Sequence, residues 1–230
     1  MINKIVASVA EAIGTVPDGA VVLIGGFGTA GIPGALIDGL IEQGARDLTV
    51  VNNNAGNGTT GLAALLATGH VRKMVCSFPR QKDSQVFDEL YRQHRIELEL
   101  VPQGTLAERI RAGGAGIGAF FSPTGFGTLL AEGRETRMID GRQYVLEYPI
   151  HGDVALVGAE AGDRWGNLIY RETARNFGPV MATAAAQTVA SVHRVVELGA
   201  LDPEAIVTPG IFVSRIVQVP RFRQHLQEAA

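Results

Sequence analysis

The chain has 230 residues, of which 46% are hydrophobic, and a formal net charge of −3. This length and apolar content support a sizeable buried core, and the slight acidity provides no cationic field for nucleic acid or an anionic membrane surface. A single cysteine, Cys76, excludes an intramolecular disulfide; its place in the apolar run from Val71 to Phe78 fits a buried structural thiol in a cytoplasmic protein.

Ile2, Ile5, Val6, Val9, Ala10 and Ile13 recur at helical spacing and predict an amphipathic helix over residues 2–13. Charge interrupts that stretch, so it does not read as a signal peptide, and no run reaches the roughly 20 apolar residues of a membrane span. Pro17-Asp-Gly19 turns the chain into Ala20 to Ile24, an uninterrupted apolar run typical of a strand buried on both faces of a parallel sheet. A glycine-rich loop follows, then a helix from Pro33 to about Gln43, with Pro in its first turn and Gly44 at its end.

The alternation continues with strands at Asp47 to Val51, Val71 to Phe78 and Ile96 to Val101, and helices at Gly61 to Thr68 and Asp83 to His94. Thr105-Leu-Ala-Glu108 matches a capping box for a further short helix. After Ala112 the runs Gly113-Gly-Ala-Gly-Ile-Gly118 and Phe120 to Gly127 read as too glycine-rich for helix. Asp140-Gly141 between alternating residues predicts a tight hairpin, and Gly162 to Asn167 a second hairpin joining Val154 to Glu160 with Leu168 to Arg171. A helix is expected at about Val180 to Ala190, followed by strands at Val192 to Leu198 and Ile211 to Val219. The sum is an α/β fold with an open, mostly parallel sheet flanked by helices and a β-rich hairpin region in the second half. No linker composition interrupts it, so residues 1–230 read as one domain.

Gly26-Phe-Gly28-Thr-Ala-Gly31 matches G-x-G-x-x-G, the dinucleotide fingerprint. That chemistry also needs an acid at the end of the next strand to hold the ribose, and Asn52, Asn53 and Asn54 stand there instead. Asparagines at a strand's carboxyl end offer neutral donors to a carbonyl or carboxylate oxygen; they also tolerate the left-handed geometry of turns. Gln103 occupies the equivalent place after a later strand. There is no G-x-S-x-G elbow, Walker loop or metal-spaced histidine pair, and His70, His94, His151, His193 and His225 are scattered through polar contexts.

The stretch Asp18 to Pro33, read as Asp-Gly-x-x-Val-Leu-Ile-Gly-Gly-Phe-x-x-x-Gly-x-Pro, resembles the signature of family I CoA-transferases, in particular the A (alpha) subunits of 3-oxoacid CoA-transferases. The resemblance continues through Asn53-Asn-Ala-Gly56, Pro102 to Arg109, Gly113 to Gly116, Ser122-Pro-Thr-Gly125, Gly166-Asn167 and Ala174-Arg-Asn-Phe177. It implies acyl exchange through a glutamyl anhydride and then a glutamyl-CoA thioester, with the nucleophilic Glu in a Ser-Glu-Asn-Gly motif on a separate B chain. No such tetrapeptide occurs in this chain.

Carried onto matching positions, the resemblance implies that Asn53 donates to the developing oxyanion. Asn54 and Gln103 would contact substrate or CoA, and Gly25, Gly26, Phe27 and Gly28 would form a wall of the cleft. It implies no resident cofactor, with the CoA thioester entering as substrate, and a hetero-oligomer of two A and two B subunits. Cys76 to Ser84, Gly125 to Gly133 and Gly162 to Asn167 are similar to the 3-oxoadipate type, implying CoA transfer from succinyl-CoA to 3-oxoadipate. Arg80 or Lys82 is the candidate cation for the acceptor's second carboxylate. Acetoacetate or another short 3-oxoacid is the alternative acceptor, and a non-catalytic module binding acyl-CoA or a sugar phosphate on the same fold is the alternative class.

Overall fold

Within the run Val21–Ile24, which forms β2, Val22 and Ile24 face one core and Leu23 the other, as the period of a strand requires. The rest of the fold follows from burying both faces. The computed structural model describes residues 1–221. In chain order the elements begin with β1 (Ile5–Val6), α1 (Val9–Ile13), β2, α2 (Gly34–Gln43), β3 (Leu48–Val51), α3 (Leu62–Ala67) and β4 (Val71–Cys76). They continue with α4 (Gln85–Arg92), β5 (Glu97–Leu100), α5 (Gln103–Ala115), β6 (Phe120–Ser122), β7 (Thr136–Ile139) and β8 (Arg142–Glu147). The last are β9 (Gly152–Asp163), β10 (Leu168–Ile169), α6 (Gly178–Thr183), β11 (Ala185–Val196) and β12 (Arg215–Gln218).

The main sheet has the order β1-β12-β11-β9-β2-β3-β4-β5, parallel throughout, with β10 added antiparallel to β9. On one face Ile37, Leu40, Leu65 and Phe87 of α2, α3 and α4 pack over Val50 and Met74. On the other, Leu106, Ile110 and Met181 of α5 and α6 pack over Leu23, Val51 and Val75. β6, β8 and β7 make a separate antiparallel sheet. No helix among the described residues is long and apolar enough to cross a membrane.

The open parallel sheet and both hairpins agree with the sequence reading. At the first hairpin Asp140 and Gly141 both have positive φ, 47° and 76°, as a primed turn demands. At the second, Leu168 pairs with Gly162 and Ile169 with Ala161.

Four elements differ. The expected helix over residues 2–13 is helical only in α1, because Ile5 and Val6 pair with Ile216 and Val217 as an edge strand, and Ser8 caps the start of α1 by accepting from Glu11 N at 3.1 Å. The capping box at Thr105 is not used: α5 begins two residues earlier, and Thr105 lies inside it, buried, with Oγ1 unpartnered. α5 also continues through Gly113 and Gly114. A Cβ on either would collide with Ile150 O or Thr183 Oγ1, so the helix accepts glycine's cost of about 1 kcal/mol each to pack this closely.

The helix expected at Val180 to Ala190 stops at Thr183, and the alanine-rich stretch after it is strand. There Val189 and Ala190 pair with both β9 and β12, a two-sided ladder that outweighs alanine's helical preference. The strand expected over Ile211 to Val219 is confined to β12, with a single 3-10 turn at Gly210–Phe212 before it.

Candidate functional site

Strand order reverses beside β2, since β3, β4 and β5 lie to one side and β9, β11 and β12 to the other. In an open parallel sheet such a reversal leaves a crevice at the carboxyl ends of the strands. The loops leaving β2, β3, β4 and β5 carry Gly25 to Gly28, Asn52 to Asn54, Ser77 and Gln103 to that end.

The three consecutive asparagines are all buried, and they differ in what they do. Asn52 is a structural tie: its Nδ2 donates to Ile24 O at 2.6 Å and its Oδ1 accepts from Asn54 N at 2.9 Å, fastening the end of β3 to the end of β2. Asn53 Oδ1 accepts two hydrogen bonds, from Ser77 Oγ at 2.7 Å and from Gln103 Nε2 at 2.8 Å. Among the described residues its Nδ2 has no partner, leaving an amide donor uncommitted. Asn54 Oδ1 accepts from Gly56 N at 3.0 Å, while its Nδ2 is buried without a partner. The structure thus joins Asn53 and Gln103 through a direct hydrogen bond across 50 residues of sequence.

Ser77 is the member of this cluster that the sequence reading missed. Its signal was position: it comes directly after β4, at the same sheet end as Asn53 and Gln103. Cys76 beside it is buried, and burial pushes its thiol up to about 12, so it is inert at neutral pH.

The glycine loop is shaped by a distant segment. Phe27 and Ala30 exchange both backbone hydrogen bonds at 3.0 Å around Gly28 and Thr29, which leaves Phe27 about half exposed at the mouth of the crevice. Asn176 Nδ2 donates to Ala30 O at 3.0 Å, and a Cβ on Gly31 (φ 73°) would lie 2.5 Å from Ala174 O. Gly25 packs against Gly178 with no room for more than van der Waals contact. The motif at Ala174 to Phe177 is therefore the support on which the loop rests.

The two candidate cations lie on the loop after β4, which is tied to the asparagine loop by Ser84 Oγ donating to Gly56 O and Gly58 N donating to Asp83 O. Arg80 Nε is engaged by Asp88 Oδ1 at 2.6 Å. Lys82 is exposed and makes no ion pair among the described residues. The structure brings neither into contact with Asn53.

Below the site, Glu99 of β5 is held by Lys73 at 2.5 Å and by Arg109 of α5 at 2.7 Å, and Glu147 of β8 accepts from Arg134 at 2.6 Å. Burial opposes the charge on Glu99, but hydrogen bonds from Lys73 and Arg109, with their positive charges, hold its carboxyl below the usual range. The network fixes α5, and hence Gln103, to the sheet. His225 lies outside the described residues.

The crevice is that of an open parallel α/β protein, lined by a glycine loop and neutral amides and without the acid that holds a dinucleotide's ribose. The family model of Coenzyme A transferase matches residues 6–219, so the chain belongs to the Coenzyme A transferase family.

It is 68% identical over 219 residues to the A subunit of 3-oxoadipate CoA-transferase from Pseudomonas putida, covering 95% of each chain. It is 49% identical over 215 residues to the A subunit of a probable succinyl-CoA:3-ketoacid coenzyme A transferase from Bacillus subtilis, covering 94% of this chain and 90% of the relative. Among solved structures, an acyl-CoA transferase of Escherichia coli O157:H7 in a thioester complex with CoA superposes with a TM-score of 0.83 at 22% identity, over 97% of this chain and 48% of that one. At that identity the likeness is one of fold, and this chain spans about half of the larger protein.

Proposed function

We propose that this chain is the A subunit of a heteromeric CoA-transferase that moves CoA from succinyl-CoA to 3-oxoadipate in the breakdown of aromatic compounds. The observation that carries the reading is the uncommitted Asn53 amide at the sheet end of a Coenzyme A transferase family member. The acceptor is favoured by the higher identity to a 3-oxoadipate enzyme than to a 3-ketoacid one, 68% against 49%.

In this reading a Glu of the partner B chain, in a Ser-Glu-Asn-Gly motif, attacks the succinyl-CoA carbonyl. CoA thiolate leaves and an anhydride forms; the thiolate then attacks the glutamyl carbonyl, releasing succinate and leaving a glutamyl-CoA thioester. 3-Oxoadipate reverses the two steps. Each attack places negative charge on a carbonyl oxygen, and Asn53 Nδ2 is a fixed donor for it. The loop from Gly25 to Gly28 walls the cleft and limits water, which would hydrolyse the anhydride. Asn54 and Gln103 lie beside the acyl position, and Lys82, without an ion pair among the described residues where Arg80 has one, is the better cation for the distal carboxylate. The chain works as one cytoplasmic domain in an assembly of two A and two B subunits, with CoA as substrate and no resident cofactor.

The test is reconstitution. The chain alone should show no transfer, and mixing with a partner carrying Ser-Glu-Asn-Gly should restore it, faster with 3-oxoadipate than with acetoacetate. Turnover by the lone chain would overturn the split site. Preference for acetoacetate would move the acceptor to the short 3-oxoacids.

A further inference from the structure

We propose that Ser77 is a positioning residue that sets which end of the Asn53 amide faces the cleft; this rests on the reading of Asn53 as the oxyanion donor. A primary amide has nearly the same shape when rotated by 180°, so packing alone does not decide whether oxygen or NH2 points outward. The choice falls to the hydrogen-bond partners. Gln103 is a poor arbiter, because its own exposed amide can rotate and present Oε1 instead of Nε2.

Ser77 differs. Its hydroxyl lies 2.7 Å from Asn53 Oδ1 and 3.2 Å from the Asn53 main-chain oxygen. That main-chain oxygen already accepts from Ser77 N at 3.2 Å and Phe78 N at 3.0 Å, which uses both of its lone pairs. The hydroxyl proton is therefore directed to Oδ1. An Asn53 amide rotated the other way would meet Ser77 with NH2 and deprive that proton of its acceptor. Oδ1 thus turns inward to Ser77 and Gln103, and Nδ2 is left for the cleft. The same contact explains how β4 takes part in the site without supplying a group to the substrate: Ser77 binds the end of β3 through main chain and side chain together.

The experiment is a double-mutant cycle on the complex assembled with its partner chain, with kcat and KM measured for Ser77→Ala, Asn53→Ala and the pair. Ser77→Ala should lower kcat about 3- to 10-fold, the value of one neutral hydrogen bond, with KM little changed. It should have no further effect in the Asn53→Ala background, and Ser77→Thr, which keeps the hydroxyl, should restore the rate. Thermal melting of each assembled variant shows that the fold is kept.

An equal loss from Ser77→Ala in both backgrounds would mean that Ser77 acts independently and would overturn the proposal. So would an unchanged rate for Ser77→Ala where Asn53→Ala is impaired. An unchanged kcat for Asn53→Ala itself would overturn the donor reading, and the positioning role with it.

Discussion

Two strand-end loops in this molecule are built from the same residue types and end in opposite states. The turn after β9 runs Asp163 to Asn167: buried Asp163 accepts from Trp165 N at 2.9 Å, Asn167 N at 3.2 Å and Asn167 Nδ2 at 2.9 Å, and Asn167 Oδ1 accepts from Gly210 N at 2.9 Å. Its side-chain groups serve one another and the neighbouring chain. The loop after β3 is polar too and more deeply buried, yet Asn54 Nδ2 is buried without a partner and Asn53 bonds only through its Oδ1 and main chain among the described residues. A polar loop that closes on itself is architecture. One that leaves donors unspent at a sheet's carboxyl end, where the burial of Asn54 Nδ2 makes the omission cost about 1–3 kcal/mol, fits the ligand site proposed above.

Mutations should separate the two loops. The largest effect is expected from Asn53→Ala: kcat should fall roughly 10²-fold in the assembled enzyme, far more than the loss of the two hydrogen bonds that Oδ1 accepts from Ser77 and Gln103, about 1 kcal/mol of stability, would cause on its own. Asp163→Ala should do the reverse. It strips three donors of their shared acceptor, and stability should drop by about 2 kcal/mol, some 4–8 °C in Tm, while kcat of the folded enzyme stays near the original. A large rate loss in the second variant would erase the distinction.

A smaller effect concerns the pH range in which either measurement can be read. Glu99 has its folded-state pKa lowered, so its pairing with Lys73 and Arg109 stabilises the fold fully above the ordinary Glu value of 4.5 and is lost as pH falls through the lowered one. Glu99→Gln should therefore lower Tm at neutral pH, where the pairing is fully present, and flatten the acid side of the stability profile below about pH 4.5, seen as a weaker dependence of Tm on pH.

Much of the sheet is legible in the chain because its strands are short apolar runs closed by glycine, proline or asparagine, as at Val21–Ile24 and Leu48–Val51. Local signals mislead where tertiary contact decides. Ala185 and Ala186 favour helix in isolation and are strand because β9 pairs along this stretch from Ala185 and β12 joins from Val189 on. Gly113 and Gly114 argue against helix and lie inside one because Ile150 and Thr183 press on it.

The site divides in the same way. Asn53 and Gln103 stand out as amides after strands. Ser77 does not, since a serine after a strand is ordinary until its hydroxyl is seen against Asn53 Oδ1. Nor does the sequence reveal that Asn52 is only a clasp between β2 and β3, or that Arg80 is already taken by Asp88.

The position of β9 between β2 and β11 has a consequence for the way the protein is made. Every amide assigned to the cleft, and the glycine loop itself, lies within the first 103 residues of the chain. A ribosome therefore completes the chemical inventory long before it supplies the strand that closes the edge of β2 or the Ala174–Phe177 segment that supports the loop. A product truncated before Gly152 would carry the whole set of donors beside an open, apolar strand edge, which invites pairing with other chains. Such a fragment should be lost to aggregation rather than survive as a weakened enzyme.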